Sequence, residues 1–180
     1  MIEVERKYHI SNKQVIEKNL NKLGYKKTET VHQADRVYLQ KSDSFKTFKV
    51  GDPVTRIREV NGSNTLTFKK AVNAQGDTIE HEMTVEPASE AEGFLLELGF
   101  NPVTNVDKVR TEFKLNNVTV ALDEVMGLGS FVEVEILCIE GEEKIARAKI
   151  VEIAKRIGLN TNDIETKKYD QLISELPKRS

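Results

Sequence analysis

Ionic side chains recur at alternate positions along a series of short β-prone segments. They are Glu3, Glu5 and Lys7; Arg56 and Arg58; Lys69; Glu80 and Glu82; Lys108 and Arg110; Asp123; and Glu133 and Glu135. Strand side chains alternate between two faces, so each group shares one face of its strand. Clustered carboxylates repel one another unless cations neutralise them. Clustered guanidinium and ammonium groups attract polyanions. Carboxylates for a divalent metal and cations for phosphate oxygens are the two halves of a metal–polyphosphate site.

The competing account is an ordinary antiparallel sheet whose charged face is wet. Three features weigh against it. The alternate positions (Ile57, Leu66, Phe68, Ile79, Val109, Leu122, Val132, Val134 and Ile136) are apolar. They make up the one sheet face on which helices could pack. Basic residues also cluster on some strands and acidic ones on others, whereas exposed strands more often mix the signs across neighbouring pairs.

The elements that must position these residues follow from periodicity and turn chemistry. Strands are expected at 2–9, 36–40, 54–60, 65–70, 78–86, 107–115, 118–125 and 131–137. Asn61-Gly62-Ser63-Asn64 and Asn116-Asn117 predict tight turns, and a further turn is expected at 73–77 around Gly76. A mobile loop or loosely paired edge is expected over 41–51. Ser11 predicts an N-cap for a helix over 13–23, ended by Gly24. Pro87 opens a second helix that stops at Gly99, a third spans 142–157 before Gly158, and a short one covers 168–176 before Pro177. About eight strands in hairpin succession must curl, split or close. The expected fold is α+β: a closed eight-stranded antiparallel β-barrel, helices packed outside, in a single domain over 1–180.

The chain has 180 residues, 38% hydrophobic and 31% charged, enough for a real core. A net charge of −2 gives no bulk attraction to nucleic acid or acidic membrane. Cys138 is the single cysteine, so neither an internal disulfide nor a multi-cysteine metal site is available. With no apolar run of membrane-spanning length and no signal-peptide core at the start, a soluble cytoplasmic protein is expected.

Glu3-Val4-Glu5-Arg6-Lys7 matches the ExExK signature of the CYTH, or triphosphate tunnel metalloenzyme, superfamily. The resemblance extends through Arg56-Ile57-Arg58, Leu66-Thr67-Phe68-Lys69, Glu80-His81-Glu82, Lys108-Val109-Arg110 and Leu122-Asp123-Glu124-Val125. The late Gly127-Leu128-Gly129-Ser130-Phe131-Val132-Glu133-Val134-Glu135 and the terminal Tyr169-Asp170-Gln171-Leu172-Ile173 are most similar to the class IV adenylyl cyclase-like branch. The resemblance implies a tunnel that binds a triphosphate. Glu3, Glu5, Glu133 and Glu135, with Asp123, would form the metal site, supported by Glu80 and Glu82. Lys7, Arg56, Arg58, Lys69, Lys108 and Arg110 would hold phosphate oxygens, with Lys7, Arg58 and Lys69 as the catalytic cations. Mg²⁺ or Mn²⁺ suits an all-oxygen site. A homodimer is also implied, although no unpaired apolar stripe in the sequence demands one.

One strand departs from the family pattern. Acidic residues are common two positions before and two after the tyrosine of strand two, where this chain has Arg36 and Gln40, with Asp35 adjacent. A one-residue slip would flip that strand's faces, so no role is carried over from it. His9, His32 and His81 lack metal-ligand spacing. Cys138 is expected as a small buried hydrophobe, Gly127 and Gly129 as a strained turn, and Lys167-Lys168 as a solvated helix start. Two activities stay open: cyclisation of ATP to cyclic AMP and pyrophosphate, and hydrolysis of thiamine triphosphate, a nucleoside triphosphate or inorganic triphosphate. A polyphosphate- or nucleotide-binding module without turnover is the alternative outside enzymes.

Overall fold

The computed structural model describes residues 2–40, 44–45, 49–73 and 78–177. The chain forms β1 (Ile2–His9), α1 (Lys13–Lys22), β2 (Lys26–Gln40), β3 (Pro53–Val60), β4 (Ser63–Ala71) and β5 (Thr78–Val85). It continues with α2 (Ala88–Glu97), β6 (Phe100–Leu115), β7 (Val118–Val125), β8 (Gly129–Cys138), α3 (Glu143–Ile157), β9 (Ile164–Glu165) and α4 (Tyr169–Ser174). The fold class is the expected one, α+β with a closed antiparallel barrel of eight long strands. The two-residue β9 is an addition, pairing with β1. Most of the turn expected at 73–77 and of the loop expected at 41–51 lies outside the described residues. Among the described residues no helix is long and apolar enough to cross a membrane.

By its contacts the chain falls into two compact units. The first comprises Met1–Val31, Val109–Val125 and Gly129–Thr166; the second comprises His32–Lys108, Met126–Leu128 and Lys167–Ser180.

In the first unit β1 pairs with β8, and β8 with β7. Val4, Val120, Leu122, Val132, Val134 and Ile136 share one face of these strands and are buried against Ile16 and Leu20 of α1 and Ala146, Ile150, Ile153 and Ile157 of α3. Burying each branched aliphatic contributes about 1.5–3 kcal/mol, so this face fixes the register. The cap of α1 is Asn12, not Ser11: the Asn12 side chain accepts from the Val15 amide at 3.2 Å. Gly158 ends α3 at φ +97, a conformation that favours glycine. An added Cβ there would meet Asn19 Nδ2 at 3.4 Å. That nitrogen donates to the Ile157 carbonyl at 3.0 Å, tying α1 to the end of α3.

In the second unit β3 and β4 form a hairpin closed by Asn61-Gly62, with φ +52 and +83. Left-handed conformations at both positions are what a two-residue turn between twisted strands requires. Tyr38, Ile57, Leu95 and Phe100 form the buried core beneath α2. Glu92 of α2 accepts from Arg36 at 2.7 Å and from the Tyr38 hydroxyl at 3.0 Å. Burial, then the Glu92 hydrogen bond, pushes the Tyr38 phenol up to about 12.

Two strands are much longer than their apolar alternation predicts. The N-terminal part of β2 is exposed and polar, held by its place beside β6 and by contacts such as Thr30 Oγ1 to Thr111 Oγ1 at 3.1 Å. The early part of β6 carries Asn101, Pro102 and Asn105, which mask a strand in the sequence. The expectation of a fully covered apolar face also needs correction: Ile79 and Val109 are 41% and 37% exposed.

Candidate active site

Helices occupy the apolar strand faces, yet the ionic faces opposite are not wet. Lys7, Asp35, Lys108 and Asp123 are only 4%, 5%, 3% and 1% exposed. Burying a charge is costly unless it is paired and hydrogen-bonded. A solvated outer face is therefore excluded for these positions.

In the first unit the strand register sets Glu5 opposite Glu135 and Lys7 opposite Glu133, with Glu3 on the same face. Asp123 on β7 follows the same alternation, opposite Phe131. Arg110 donates from Nε and Nη2 to the two Asp123 carboxylate oxygens at 2.7 and 2.5 Å, and from Nη2 to Glu133 as well. Lys7 Nζ stands 3.7 Å from the other Glu133 oxygen. The expected carboxylates Glu3, Glu5, Asp123, Glu133 and Glu135 and the cations Lys7 and Arg110 thus lie on adjoining strands, with acid in excess.

In the second unit the balance is reversed. Arg58 forks onto Asp35 at 2.6 and 2.7 Å, and Arg56 Nη1 lies 3.9 Å from the same carboxylate. Arg56 also donates to Thr67 Oγ1 at 3.2 Å, and Thr67 donates to Glu82 at 3.1 Å. Lys69 pairs with Glu80, directly opposite in the ladder, and Thr78 Oγ1 supports Glu80 at 3.2 Å. Lys108 Nζ sits 4.9 Å from the centre of the Tyr169 ring, a cation–π contact supplied by α4.

Asp35 is the residue that sequence reasoning left out. Burial by itself would raise its pKa, but the Arg58 hydrogen bonds and the charges of Arg56, Arg58 and Lys108 outweigh that and hold the carboxyl below its ordinary range. The strand-two departure resolves with it. Asp35, Val37 and Leu39 occupy the ionic face, opposite Arg58, Arg56 and Val54, while Arg36 turns to α2 and Gln40 is exposed. Gln33, Asp35, Val37 and Leu39 are buried on that face, but adjacent charges at 35 and 36 gave the sequence no signal for which one turns inward. The singletons have these contacts. His9 is 4.3 Å from the Phe131 ring and 3.3 Å from Glu165, His81 packs near Phe68, Cys138 is buried, and Lys167 pairs with Glu175 at 2.6 Å.

The donor chemistry of the acidic face fits a hard divalent cation: carboxylate oxygens only, with two glutamates directly opposed. Like charges so placed are unfavourable without a cation to neutralise them. Among the described residues no three His, Cys, Asp or Glu side chains are drawn together as a ready-made ligand set. Asp123 and Glu133 point their oxygens at Arg110 instead.

The CYTH domain family profile matches residues 1–169. A protein of Methanocaldococcus jannaschii, provisionally named an adenylate cyclase, is 31% identical over 176 residues, 96% of this chain and 98% of its own length. A structure from Pyrococcus horikoshii shares 26% identity with a TM-score of 0.81, covering 94% of this chain and 98% of that one. A Hippeastrum protein, provisionally named an adenylyl cyclase and described as having a dominant triphosphatase activity, shares the fold at 17% identity and a TM-score of 0.63, covering 96% of this chain and 93% of that one. With the profile spanning nearly all of the sequence, the chain belongs to the CYTH domain family.

Proposed function

We propose that this chain is a divalent-metal-dependent enzyme acting on a triphosphate. The observation that carries the proposal is the burial of Lys7, Lys108, Asp35 and Asp123 on the ionic strand faces, in a chain of the CYTH family. Glu3, Glu5, Glu133 and Glu135, with Asp123, are the proposed metal holders, and Glu80 and Glu82 support the cations beside them. Mg²⁺ or Mn²⁺ bound there would neutralise phosphate charge as a Lewis acid. Lys7, Arg56, Arg58, Lys69, Lys108 and Arg110 hold phosphate oxygens. Asp35 fixes the Arg58 fork and steadies Arg56, so those donors are oriented before substrate arrives. A single domain over 1–180 is part of the proposal.

Class IV adenylyl cyclase chemistry is the activity favoured, on the strength of the 31% identical relative. The ribose 3′-hydroxyl attacks the α-phosphorus, loses its proton as the O3′–P bond forms, and pyrophosphate leaves. The basic face spreads the charge that develops on the leaving group. Triphosphate hydrolysis is the second activity, supported by the Hippeastrum protein that carries it on the same fold. Incubating purified protein with Mg²⁺ or Mn²⁺ and ATP, thiamine triphosphate or inorganic triphosphate separates them. Cyclic AMP with pyrophosphate is the expected product pair. Orthophosphate with a diphosphate would assign hydrolysis instead. Absence of turnover, with triphosphate still raising the melting temperature, would leave a binding module.

A further inference from the structure

Gln33 lies on β2 two residues before Asp35, so alternation sets both on the ionic face. It is 7% exposed, and its Oε1 is buried with no hydrogen-bond partner. A buried acceptor left unpaired is costly, so its retention calls for a partner that arrives later. The surroundings narrow the choice of partner. Asp35 and the cations that hold it, Arg56, Arg58 and Lys108, all belong to the same unit. An accepting amide oxygen adds nothing to their hold on phosphate, whose ionised oxygens are acceptors too and would oppose Oε1. The group that satisfies Oε1 must be a donor, an N–H or O–H. A fully ionised inorganic triphosphate has none; a nucleoside triphosphate has ribose hydroxyls and, in adenine, an amino group beside a ring acceptor. A primary amide, with one accepting and one donating end, complements such an edge.

We infer that Gln33 is a specificity-determining residue, its buried amide on the β2 face that carries Asp35 receiving a hydroxyl or amino donor from the nucleoside part of the substrate. This rests on the triphosphate function proposed above and deepens it: the substrate class is a nucleoside triphosphate, not inorganic triphosphate.

The test compares wild type with Gln33→Met, which keeps the volume and removes the amide, measuring affinities for ATP and for inorganic triphosphate by calorimetry at fixed Mg²⁺. Loss of one buried hydrogen bond should weaken ATP about 5- to 10-fold while inorganic triphosphate stays within about twofold. Equal changes for both ligands, or none for either, would overturn the specificity role, since a purely structural Gln33 cannot tell the ligands apart. A second measurement needs no variant: triphosphates of 2′-deoxyadenosine, 3′-deoxyadenosine and purine riboside each delete one donor. Wild type should bind at least one of them about 5- to 10-fold more weakly than ATP; equal affinity for all would show that no donor is read. Failure of wild type to bind any triphosphate, ATP included, would instead overturn the proposed function, and the role of Gln33 with it.

Discussion

The two units solve the same problem with opposite charge balances. On the ionic face of the first, five carboxylates (Glu3, Glu5, Asp123, Glu133 and Glu135) accompany the two cations Lys7 and Arg110. On that of the second, the four cations Arg56, Arg58, Lys69 and Lys108 accompany Asp35, Glu80 and Glu82. Both faces are built on antiparallel ladders whose reverse side packs on helices. The difference teaches that burial alone does not define such a site. The proposed function assigns the acid surplus to a divalent cation and the basic surplus to phosphate oxygens.

The largest expected effect tests the acidic half. Glu5→Gln or Glu135→Gln removes one charge from the directly opposed pair while keeping its shape. Metal-dependent turnover should fall about 100-fold or more while the protein stays folded. Near-normal kcat in both variants across a Mg²⁺ titration would break the assignment of that face to metal.

Next comes the basic half. Arg58→Ala should weaken triphosphate binding and also strand Asp35, a 5% exposed carboxylate that loses its bidentate partner. Breaking a buried pair costs up to about 3–5 kcal/mol, lessened here by Arg56 at 3.9 Å, and is readable by urea denaturation. Adding Asp35→Asn to Arg58→Ala should recover much of the stability but none of the binding. Unchanged triphosphate affinity in the single variant would remove the second unit from the comparison.

How much of this was legible beforehand follows from what periodicity can see. Where one face is apolar and the other ionic, as in β1, β7 and β8, alternation fixed both the strand and the direction of its side chains. It failed where tertiary pairing, not burial, holds a strand. The segment 26–30 is polar on both faces, so no period exists to be read. Arg36 and Asp35 failed for a related reason. Adjacent charged residues on one strand must face opposite ways, but the sequence does not say which turns inward. The structure decides through α2: Glu92 gives Arg36 and Tyr38 partners on the outer side, which commits Asp35 to the inner one.

A smaller effect follows from the Asp35 carboxyl, whose folded pKa lies below its unfolded value of about 3.9. A depressed pKa contributes stability that is present above the unfolded pKa and lost as pH falls through the folded one. Melting temperatures should therefore drop from pH 5 downward, and Asp35→Asn should flatten part of that slope. A slope identical in the two proteins would mean that the pair with Arg58 does not stabilise the fold, and the basic face would then be held by its ladder alone.

The smallest effect separates the two sides of β2 itself. Arg36 is 41% exposed and pairs with Glu92, which is 31% exposed, so the bridge is well screened. Arg36→Ala should cost less than about 1 kcal/mol and leave triphosphate affinity unchanged. Its neighbour one residue back belongs to the other face, where Asp35→Ala should release Arg58 and Arg56 and disturb binding by misdirecting both donors. If Arg36→Ala weakened triphosphate binding as much as Asp35→Ala does, the face assignment of β2 would be wrong by one residue. Gln33, which shares the Asp35 register, would then move off the ionic face as well. The pair of substitutions thus tests, at one peptide bond, whether ligand chemistry and helix packing are divided between opposite sides of the same strand.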